Sequence, residues 1–379
     1  MASTKRVLLV FGTRPEAIKM APVYQALRAE PHRFAPICCV TAQHRGLLDQ
    51  ALASFGIVPD FDLDLMREGQ QPAQVCAAVV AGLAPLLVKT APDVVLVHGD
   101  TTTTAAAALA AFYAGIPVGH VEAGLRSGSL AAPFPEEMNR RVASLVARHH
   151  FAPTPDNRAN LLREGCDPAS IVVTGNTVVD ALLATAARLD KDARFARTIA
   201  RDLESDLGFS WRYEPFVLVT CHRREAFGAG LEAVCQAITE LTERFPAERF
   251  VLPVHPNPAV ADAMNARLGG RARVVLTPPL HYAAFVALLR ACRLVLTDSG
   301  GVQEEAPSFG KPVLVMRELT ERPEAVAARN ARLVGLDPRA IVAAAEPILQ
   351  APPTGSAPAP SPNPFGDGRA ASRIVEALR

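Results

Sequence analysis

The sequence predicts an α/β protein built on two parallel sheets, and three observations support this prediction. Short, continuous apolar runs alternate with longer stretches rich in alanine and leucine, as in βαβ units whose strands are covered on both faces. Polar residues cluster directly after these runs, where parallel sheets bind ligands. A late apolar run leads into Ser299-Gly300-Gly301 and a helical pattern, which predicts a second domain of nucleotide-binding type.

The predicted strands fall into two series that divide near residues 170–180. The Pro/Ser-rich segment 351–364 predicts an irregular connector, and a last helix is expected near 368–378. The first series comprises 7–11, 36–41, 94–98 and 118–121, and the second comprises 171–174, 216–220, 250–254, 273–276, 294–297 and 313–316.

Composition bounds the class of protein. With 379 residues, of which 49% are hydrophobic, the chain is of ordinary length for two domains. A net charge of +1 predicts no nucleic-acid or anionic-membrane partner. The seven cysteines form no CxxC pair and are expected to be reduced core thiols. The N-terminal apolar run is too short for a signal peptide, and Gly115 and Pro117 interrupt the most apolar region, 105–121, so we expect a cytoplasmic protein.

Basic residues follow the first strand in the motif GTRPE. Arg14 is suited to bidentate phosphate binding, and Lys19 can add a point charge. The alternative is a surface loop whose basic residues pair with Glu16.

Three acidic residues are predicted to converge at neighbouring strand ends. Asp100 follows VVLVH, Glu122 follows VGHV, and Glu136 lies fourteen residues further on. Carboxylates in a partly dry site raise one another's pKa and can serve as acid and base. Two alternatives stay open: Asp100 as a helix N-cap, and Glu136 or Glu137 as first-turn acids that favour the helix dipole.

Two histidines and one phenylalanine are further candidates. His222 lies between a strand end and two arginines, where it can protonate a leaving phosphate, or can belong to an ion-pair cluster at a helix start. His255 ends another strand between prolines and is as compatible with a structural role. Phe285 can stack on a base or pack in the core. No HxxxH or HExxH spacing is present, so no metal site is predicted, and no GxGxxG follows the first strand.

Taken together, these motifs resemble the non-hydrolysing UDP-N-acetylglucosamine 2-epimerases over nearly the whole chain. Nine motifs in order carry the resemblance: GTRPEAIKMAPV, TAQHR, VHGDTTTT, GHVEAGLRS, PFPEEMNRR, GNTVVDAL, HRREAFG, PVHPNP and DSGGVQEEAPSFGKPVLVM with TERPEAV.

The resemblance implies two Rossmann-like domains facing a cleft, of the glycosyltransferase-B type. We place the first domain at 1–172 with the C-terminal helix 366–379, and the UDP-binding domain at 173–365. The resemblance also implies a homodimer that needs neither NAD nor a metal. The implied reaction interconverts UDP-GlcNAc and UDP-ManNAc by elimination of UDP, a 2-acetamidoglucal intermediate and re-addition, and supplies ManNAc units for surface polysaccharides.

The resemblance also implies roles for single residues. Asp100, Glu122 and Glu136 match the family's catalytic acids, and His222 matches the residue near the phosphates. The substrate-binding positions are Arg14, Lys19, His255, Leu280, Phe285, Ser299, Gly300, Gly301, Glu305 and Arg322: Leu280 and Phe285 for uracil, Ser299 to Gly301 for the diphosphate, Glu305 for the ribose.

Two positions depart from the family pattern. Cys221 stands where glycine or alanine is common, and Gly46 stands where many bacterial members carry a longer polar residue. Gln43 and His44 are retained, so we expect an allosteric site for a second UDP-GlcNAc there. Three alternatives remain: a glycosyltransferase of the same fold, a hydrolysing epimerase, and a non-catalytic nucleotide-sugar sensor.

Overall fold

The computed structural model describes residues 4–42, 45–65, 67, 69–221, 229–254, 258–352 and 362–379. The chain divides into two compact units, each with its own parallel sheet. Unit 1 comprises Met1–Ala181 and Phe365–Arg379, and unit 2 comprises Leu182–Pro364.

The sheet of unit 1 has the strand order β3-β2-β1-β4-β5-β6-β7, with every pair parallel. The winding reverses between β1 and β4, both of which lie inside the sheet, as in a Rossmann-like fold. The strands are β1 (Lys5–Phe11), β2 (Phe34–Val40), β3 (Phe61–Asp62), β4 (Val94–His98), β5 (Val118–Val121), β6 (His149–Ala152) and β7 (Ile171–Val173).

Unit 2 repeats this topology with the order β10-β9-β8-β11-β12-β13, again all parallel. Its reversal lies between β8 and β11, so the glycine turn after β11 stands at the edge where such sheets bind ligands. The strands are β8 (Phe216–Thr220), β9 (Arg249–Pro253), β10 (Val274–Thr277), β11 (Leu294–Thr297), β12 (Val313–Val315) and β13 (Ala331–Leu333).

Helices connect the strands and cover the sheets. The last helix packs against α1 in unit 1. In chain order the helices are α1 (Arg14–Arg28), α2 (Arg45–Ser54), α3 (Pro72–Thr90), α4 (Thr102–Tyr113), α5 (Glu136–Val146), α6 (Pro155–Arg163), α7 (Thr177–Lys191), α8 (Ala193–Leu207), α9 (Ala229–Arg244), α10 (Pro258–Leu268), α11 (Tyr282–Ala291), α12 (Gly300–Glu305), α13 (Pro323–Ala327), α14 (Pro338–Gln350) and α15 (Ala370–Ala377).

The predicted α/β class is confirmed, and ten predicted strands occur within one or two residues of their expected bounds. One assignment is wrong. The strand predicted at 171–174, placed at the head of the second series, is β7, which pairs with β6 at the edge of the first sheet. The chain therefore completes the first sheet before it enters α7. All seven cysteines are free thiols, and five are buried as expected of core thiols, whereas Cys76 and Cys166 are only partly buried.

Helix α3 is long and apolar enough, by length and composition alone, to cross a membrane. In unit 1 it packs against α4, and one side buries Val75, Val79, Leu83, Leu86 and Leu87. A helix that buries one side against its neighbours is typical of an α/β unit.

Candidate functional site

Glu122 lies just after β5, in a buried group of polar side chains. Its Oε2 accepts hydrogen bonds from the Lys19 ammonium and from Asn176 Nδ2, the latter at 2.7 Å. The Nε2 atom of His98, the last residue of β4, is 3.7 Å from the same oxygen. All four residues are less than a tenth exposed. The cluster therefore holds a carboxylate against a cation in a site that admits little water.

The backbone of Glu122 adopts a conformation that side chains other than glycine seldom adopt, with φ of +66°. Such a backbone costs about 1–3 kcal/mol and persists where its surroundings hold it, often at functional sites. Gly99 lies alongside, and a Cβ atom added to it would be 3.6 Å from Glu122 Oε1. The strained residue and its neighbour thus bring the carboxylate close to the backbone of the β4 end.

Asp100 follows β4 and is bound to α5. Its Oδ2 accepts a hydrogen bond from Arg140 Nη2 at 2.6 Å, and its carbonyl oxygen accepts one from Asn139 Nδ2 at 2.9 Å. The alternative that Asp100 caps a helix is wrong, because Thr101 is the N-cap of α4 and its hydroxyl accepts from the Thr104 N–H at 3.1 Å. The structure thus places a cation directly against Asp100, as it does against Glu122.

Glu136 and Glu137 both begin α5 but differ in environment. Glu137 is fully buried and accepts hydrogen bonds from Arg140 and Arg141, both at 3.2 Å. Glu136 is half-buried, and its Oε2 is shielded from solvent without a hydrogen-bond donor among the described residues. Glu137 is therefore the structural member of the pair. Because Arg140 binds both Glu137 and Asp100, it ties the start of α5 to the end of β4.

Glu16 organises the loop after β1. Its Oε2 accepts hydrogen bonds from the backbone N–H groups of Gly12 and Thr13 at 3.0 and 2.8 Å, and its Oε1 accepts one from the Thr101 hydroxyl at 2.7 Å. Thr13 and Glu16 form the capping box of α1. Arg14 is the first residue of that helix and is half-buried. The capping box therefore fixes the backbone that carries Arg14.

His120 supports the same edge from within the sheet. Its Nε2 is 2.8 Å from the carbonyl oxygen of Gly99. Complete burial lowers the pKa of His120 to about 3, because the charged imidazole would lose its hydration. The neutral ring donates its proton to the Gly99 carbonyl and so holds the loop that carries Asp100.

The glycine turn of unit 2 lies where the sequence predicts it, between β11 and α12. Ser299 is the N-cap of α12, and its backbone N–H donates to the Thr297 hydroxyl at 2.9 Å. Gly300 and Gly301 form the first turn, where N–H groups have no partner within a helix. Because α12 has only six residues, we expect anion binding here to depend on these N–H groups more than on a helix dipole.

Arg322 lies directly over this turn. A Cβ atom added to Gly300 would be 2.8 Å from Arg322 Cζ, so only glycine leaves room for the guanidinium. Arg322 Nε donates to Glu304 at 2.9 Å, and its Nη1 donates to Glu321 at 2.7 Å. All three charged side chains are buried. The structure therefore places a fixed cation beside the predicted diphosphate turn.

The predicted nucleoside-binding residues lie on α11, on α12 and just before α11. Glu305 is buried and accepts a hydrogen bond from the Tyr282 hydroxyl at 2.8 Å. Leu280 is buried just before α11, whereas Phe285 is only half-buried on that helix. Phe285 is thus not a fully buried core residue, and Tyr282 fixes the orientation of the Glu305 carboxylate.

Several predicted positions lie outside the described residues, namely Gln43, His44, His222 and His255. The departures next to them are described: Gly46 is exposed on α2, and Cys221 is buried after β8. Desolvation raises the pKa of the Cys221 thiol above its usual range, which suits an inert core thiol.

Two members of the Glu122 cluster, His98 and Asn176, are not predicted by the sequence. Both lie inside motifs that carry the resemblance, VHGDTTTT and GNTVVDAL, but nothing in their spacing indicates contact with Glu122. Within the described parts of the chain, no group of three or more His, Cys, Asp or Glu side chains is arranged to hold a metal ion.

Two Rossmann-like units with charged side chains at their strand ends are typical of nucleotide-dependent α/β enzymes. The family model described as UDP-N-acetylglucosamine 2-epimerase matches residues 25–379. The UDP-N-acetylglucosamine 2-epimerases of Salmonella typhimurium and Escherichia coli K12 are 51% and 50% identical to this chain, over 99% of it and 98% of each relative. The chain belongs to the UDP-N-acetylglucosamine 2-epimerase family and is an enzyme of that class.

Solved structures agree with this assignment. The UDP-GlcNAc 2-epimerase of Neisseria meningitidis bound to UDP-GlcNAc matches with a TM-score of 0.92 and 45% identity, over 98% of this chain and 99% of that one. The Methanocaldococcus jannaschii UDP-GlcNAc 2-epimerase in complex with UDP-GlcNAc and UDP matches with a TM-score of 0.85 and 31% identity, over the same shares. These matches support the predicted glycosyltransferase-B-like fold class.

Proposed function

We propose that this enzyme interconverts UDP-GlcNAc and UDP-ManNAc without net hydrolysis, by inverting C2 through elimination and re-addition of UDP. The observation that carries the proposal is Glu122, a buried carboxylate on a strained backbone, held by an ammonium and an amide. The C2 proton is poorly acidic because no carbonyl lies beside it. Its removal therefore needs a fixed carboxylate and a leaving group that is stabilised as it departs.

The proposed reaction has two steps, elimination and re-addition. A carboxylate takes the C2 proton, the C–H electrons form the C1–C2 double bond of 2-acetamidoglucal, and the C1–O electrons leave with UDP. UDP then adds back to C1 while a second acid delivers a proton to the opposite face of C2. Asp100, Glu122 and Glu136 are the proposed acids and base, and His222 is proposed to assist departure of the diphosphate.

Lys19 gives Glu122 a distinct place in this scheme. An ammonium within contact distance favours the ionised form of a carboxylate, which is the form that a base requires. The Oε2 atom of Glu136 is shielded from solvent and meets no hydrogen-bond donor among the described residues, so Glu136 is the candidate for the acid. We therefore propose Glu122 as a base and Glu136 as an acid for one direction of the reaction.

In unit 2 we propose a UDP site. The N–H groups of Gly300 and Gly301, with Ser299 and Arg322, are suited to the diphosphate, because unpaired amides and a guanidinium are strong donors to anionic oxygens. Glu305 is suited to the ribose hydroxyls. The uracil would then lie against Phe285, with polar contacts from the Leu280 backbone. Arg14 in unit 1 and His255 are further proposed substrate contacts.

The test is incubation with UDP-GlcNAc in D₂O, followed by proton NMR. We expect deuterium at C2 of both epimers and no net release of UDP. UDP accumulation with free ManNAc would indicate a hydrolysing enzyme, and UDP-GlcNAc binding without exchange would indicate a sensor. UDP release that requires an added acceptor sugar, with no deuterium at C2, would indicate a glycosyltransferase. The product is proposed to supply ManNAc units for surface polysaccharides.

We also propose that the enzyme is activated by a second UDP-GlcNAc near Gln43 and His44. The test is the initial rate with UDP-ManNAc alone and after addition of a trace of UDP-GlcNAc. A lag that the trace abolishes supports activation, and a full rate from UDP-ManNAc alone would contradict it.

The proposed homodimer has a candidate surface on unit 1. Helix α4 packs against both α3 and α5, and large apolar side chains are exposed near the C-terminal ends of these helices. They are Val88, Phe112, Tyr113 and Leu145, which are 83%, 56%, 74% and 85% exposed. Apolar groups of this size gathered on one face often mark an interface. Because a homodimer buries the same patch on both copies, this face suits a second copy of the chain.

Sedimentation velocity tests this surface. Tyr113→Glu is expected to shift the wild-type dimer towards monomer, because it would bury an unpaired charge in the interface. The matched control is Tyr213→Glu, at a tyrosine in unit 2 that is 87% exposed. Equal sedimentation coefficients for wild type and both variants would show that this surface is not the dimer interface.

A further inference from the structure

The chain passes between the units twice, after Ala181 and before Phe365, and we call the segments at these two points the chain crossings. Their unit 1 ends lie side by side. The first crossing runs through α7, and the second brings the chain back at Phe365. Directly before α7, the Asn176 N–H donates to the Phe365 carbonyl at 2.6 Å. A Cβ atom added to Gly175 would be 3.3 Å from the Phe365 oxygen, and one added to Gly366 would be 3.3 Å from Gly175 Cα. Glycines thus allow the two crossings to touch through their backbones.

The side chain of Asn176 uses both of its functional groups at this point. Its Oδ1 accepts a hydrogen bond from the Val178 N–H at 3.0 Å and so caps α7. Its Nδ2 donates to Glu122 Oε2 at 2.7 Å. Asn176 is 2% exposed. One buried residue is therefore bonded by its backbone to one crossing, by its amide oxygen to the other, and by its amide nitrogen to Glu122.

Glu122 needs such support. Its φ of +66° is strained. Lys19 and His98 also lie against its carboxylate, but Lys19 has a long side chain and the His98 ring can rotate. The Oδ1 atom of the Asn176 side chain accepts a hydrogen bond from Val178, and the backbone N–H of Asn176 donates one to Phe365. Side chain and backbone are therefore both fixed, so the amide can hold the carboxylate in one orientation.

We propose that Asn176 is a positioning residue that aligns the Glu122 carboxylate for proton transfer and anchors it to the paired chain crossings. This inference rests on the proposed function, in which Glu122 exchanges a proton with C2. Asn176 acts through Glu122. Its loss therefore slows the chemical step and leaves nucleotide binding in unit 2 intact.

The test separates the capping of α7 from the alignment of Glu122. Asn176→Ser keeps a good N-cap oxygen but cannot reach Glu122, and Asn176→Asp keeps the cap and the shape while replacing the donor with a carboxylate. We expect both variants to lose roughly 10- to 100-fold in kcat and in the rate of C2 deuterium exchange, the scale of a small misalignment of a reacting group. KM and UDP affinity, read by calorimetry, are expected to stay at wild-type values.

The matched control is Asp180→Asn, one turn further along α7. The Asp180 carboxylate accepts hydrogen bonds from the Ala370 and Ala371 N–H groups at 3.1 and 2.9 Å, so it binds α7 to the C-terminal helix instead of to Glu122. We expect it to lower thermal stability while keeping kcat. Should one Asn176 variant not fold, the other decides the test.

Two results would overturn the inference: a wild-type kcat in an Asn176 variant that folds, or an equal loss of kcat in Asp180→Asn. The wild-type enzyme keeps the two hypotheses apart. If it shows no C2 exchange at all, the proposed function fails. If it exchanges and the Asn176 variants exchange as fast, only the role of Asn176 fails.

Discussion

Substitution of Gly300 by alanine tests whether Arg322 is fixed over the glycine turn. The added Cβ would lie 2.8 Å from Arg322 Cζ, 2.9 Å from Nη1 and 3.2 Å from Nε. A free arginine would swing aside at little cost, but this guanidinium is buried and paired with Glu304 and Glu321. The alanine therefore forces either a strained contact or a displaced ion pair.

The magnitude follows from these contacts and from a neighbouring glycine. Overpacking of this kind costs about 1–3 kcal/mol. Gly301 is the matched control, because the nearest atom to its added Cβ is Ser299 Oγ at 4.0 Å. In a helix, Gly301→Ala is expected to stabilise by about 0.5–1 kcal/mol, because alanine loses less backbone entropy than glycine. Because both glycines lie in the first turn of α12, this gain applies to both variants and cancels in the comparison. The two variants should therefore differ in unfolding free energy by the overpacking cost, about 1–3 kcal/mol.

The assay is chemical denaturation of both variants and wild type, with UDP affinity measured in parallel. Gly300→Ala is expected to unfold at lower denaturant concentration and to bind UDP more weakly, because the displaced guanidinium leaves the turn. Equal stability of the two alanine variants would show instead that Arg322 is not held in place by Glu304 and Glu321.

Three further predictions concern single residues. Because the pKa of His120 falls from 6.5 to about 3 on folding, its contribution to stability is present above pH 6.5 and is lost as the pH falls towards 3. In denaturation experiments at a series of pH values, His120→Gln should reduce this loss of unfolding free energy by up to ~1.4 kcal/mol per pH unit, whereas the same pH dependence in variant and wild type would contradict the prediction. Arg14→Ala is expected to lower kcat/KM for the nucleotide sugar, whereas unchanged kinetics would leave Arg14 a structural residue. Tyr282→Phe removes the hydrogen-bond donor to Glu305 and should weaken the binding of both UDP and UMP in calorimetry, because both ligands carry the ribose. Wild-type affinities for both would show that Tyr282 does not contribute to nucleoside binding.

The sequence predicts most of the fold because most strands here are continuous apolar runs. It fails where that signal is weak. β3 has two residues, β6 carries two histidines, and β13 carries an arginine, so none shows such a run. The apolar run of β7 predicts a strand but not its partner, because such a run does not indicate which strand it pairs with. β7 therefore belongs to the first sheet and not to the predicted second one.

The site shows the same limit. Motifs at strand ends are enough to propose Asp100, Glu122 and Glu136 as one acidic group. They do not predict that Lys19 and Arg140 lie against two of these acids, or that Thr101 rather than Asp100 caps α4. Asn176 is 54 residues from Glu122 in sequence. The two residues meet because they follow β5 and β7, which run parallel in the same sheet on either side of β6. Such contacts depend on tertiary packing that residue types alone do not specify.

Removal of the C2 proton of the sugar by carboxylates of unit 1 is the step on which the proposed function depends. The initial rate of deuterium incorporation at C2 by Glu122→Gln, measured by NMR at a UDP-GlcNAc concentration that saturates the variant, tests it most directly. We expect this rate to fall to background while calorimetry still shows binding of UDP. Deuterium incorporation at the wild-type rate would contradict it.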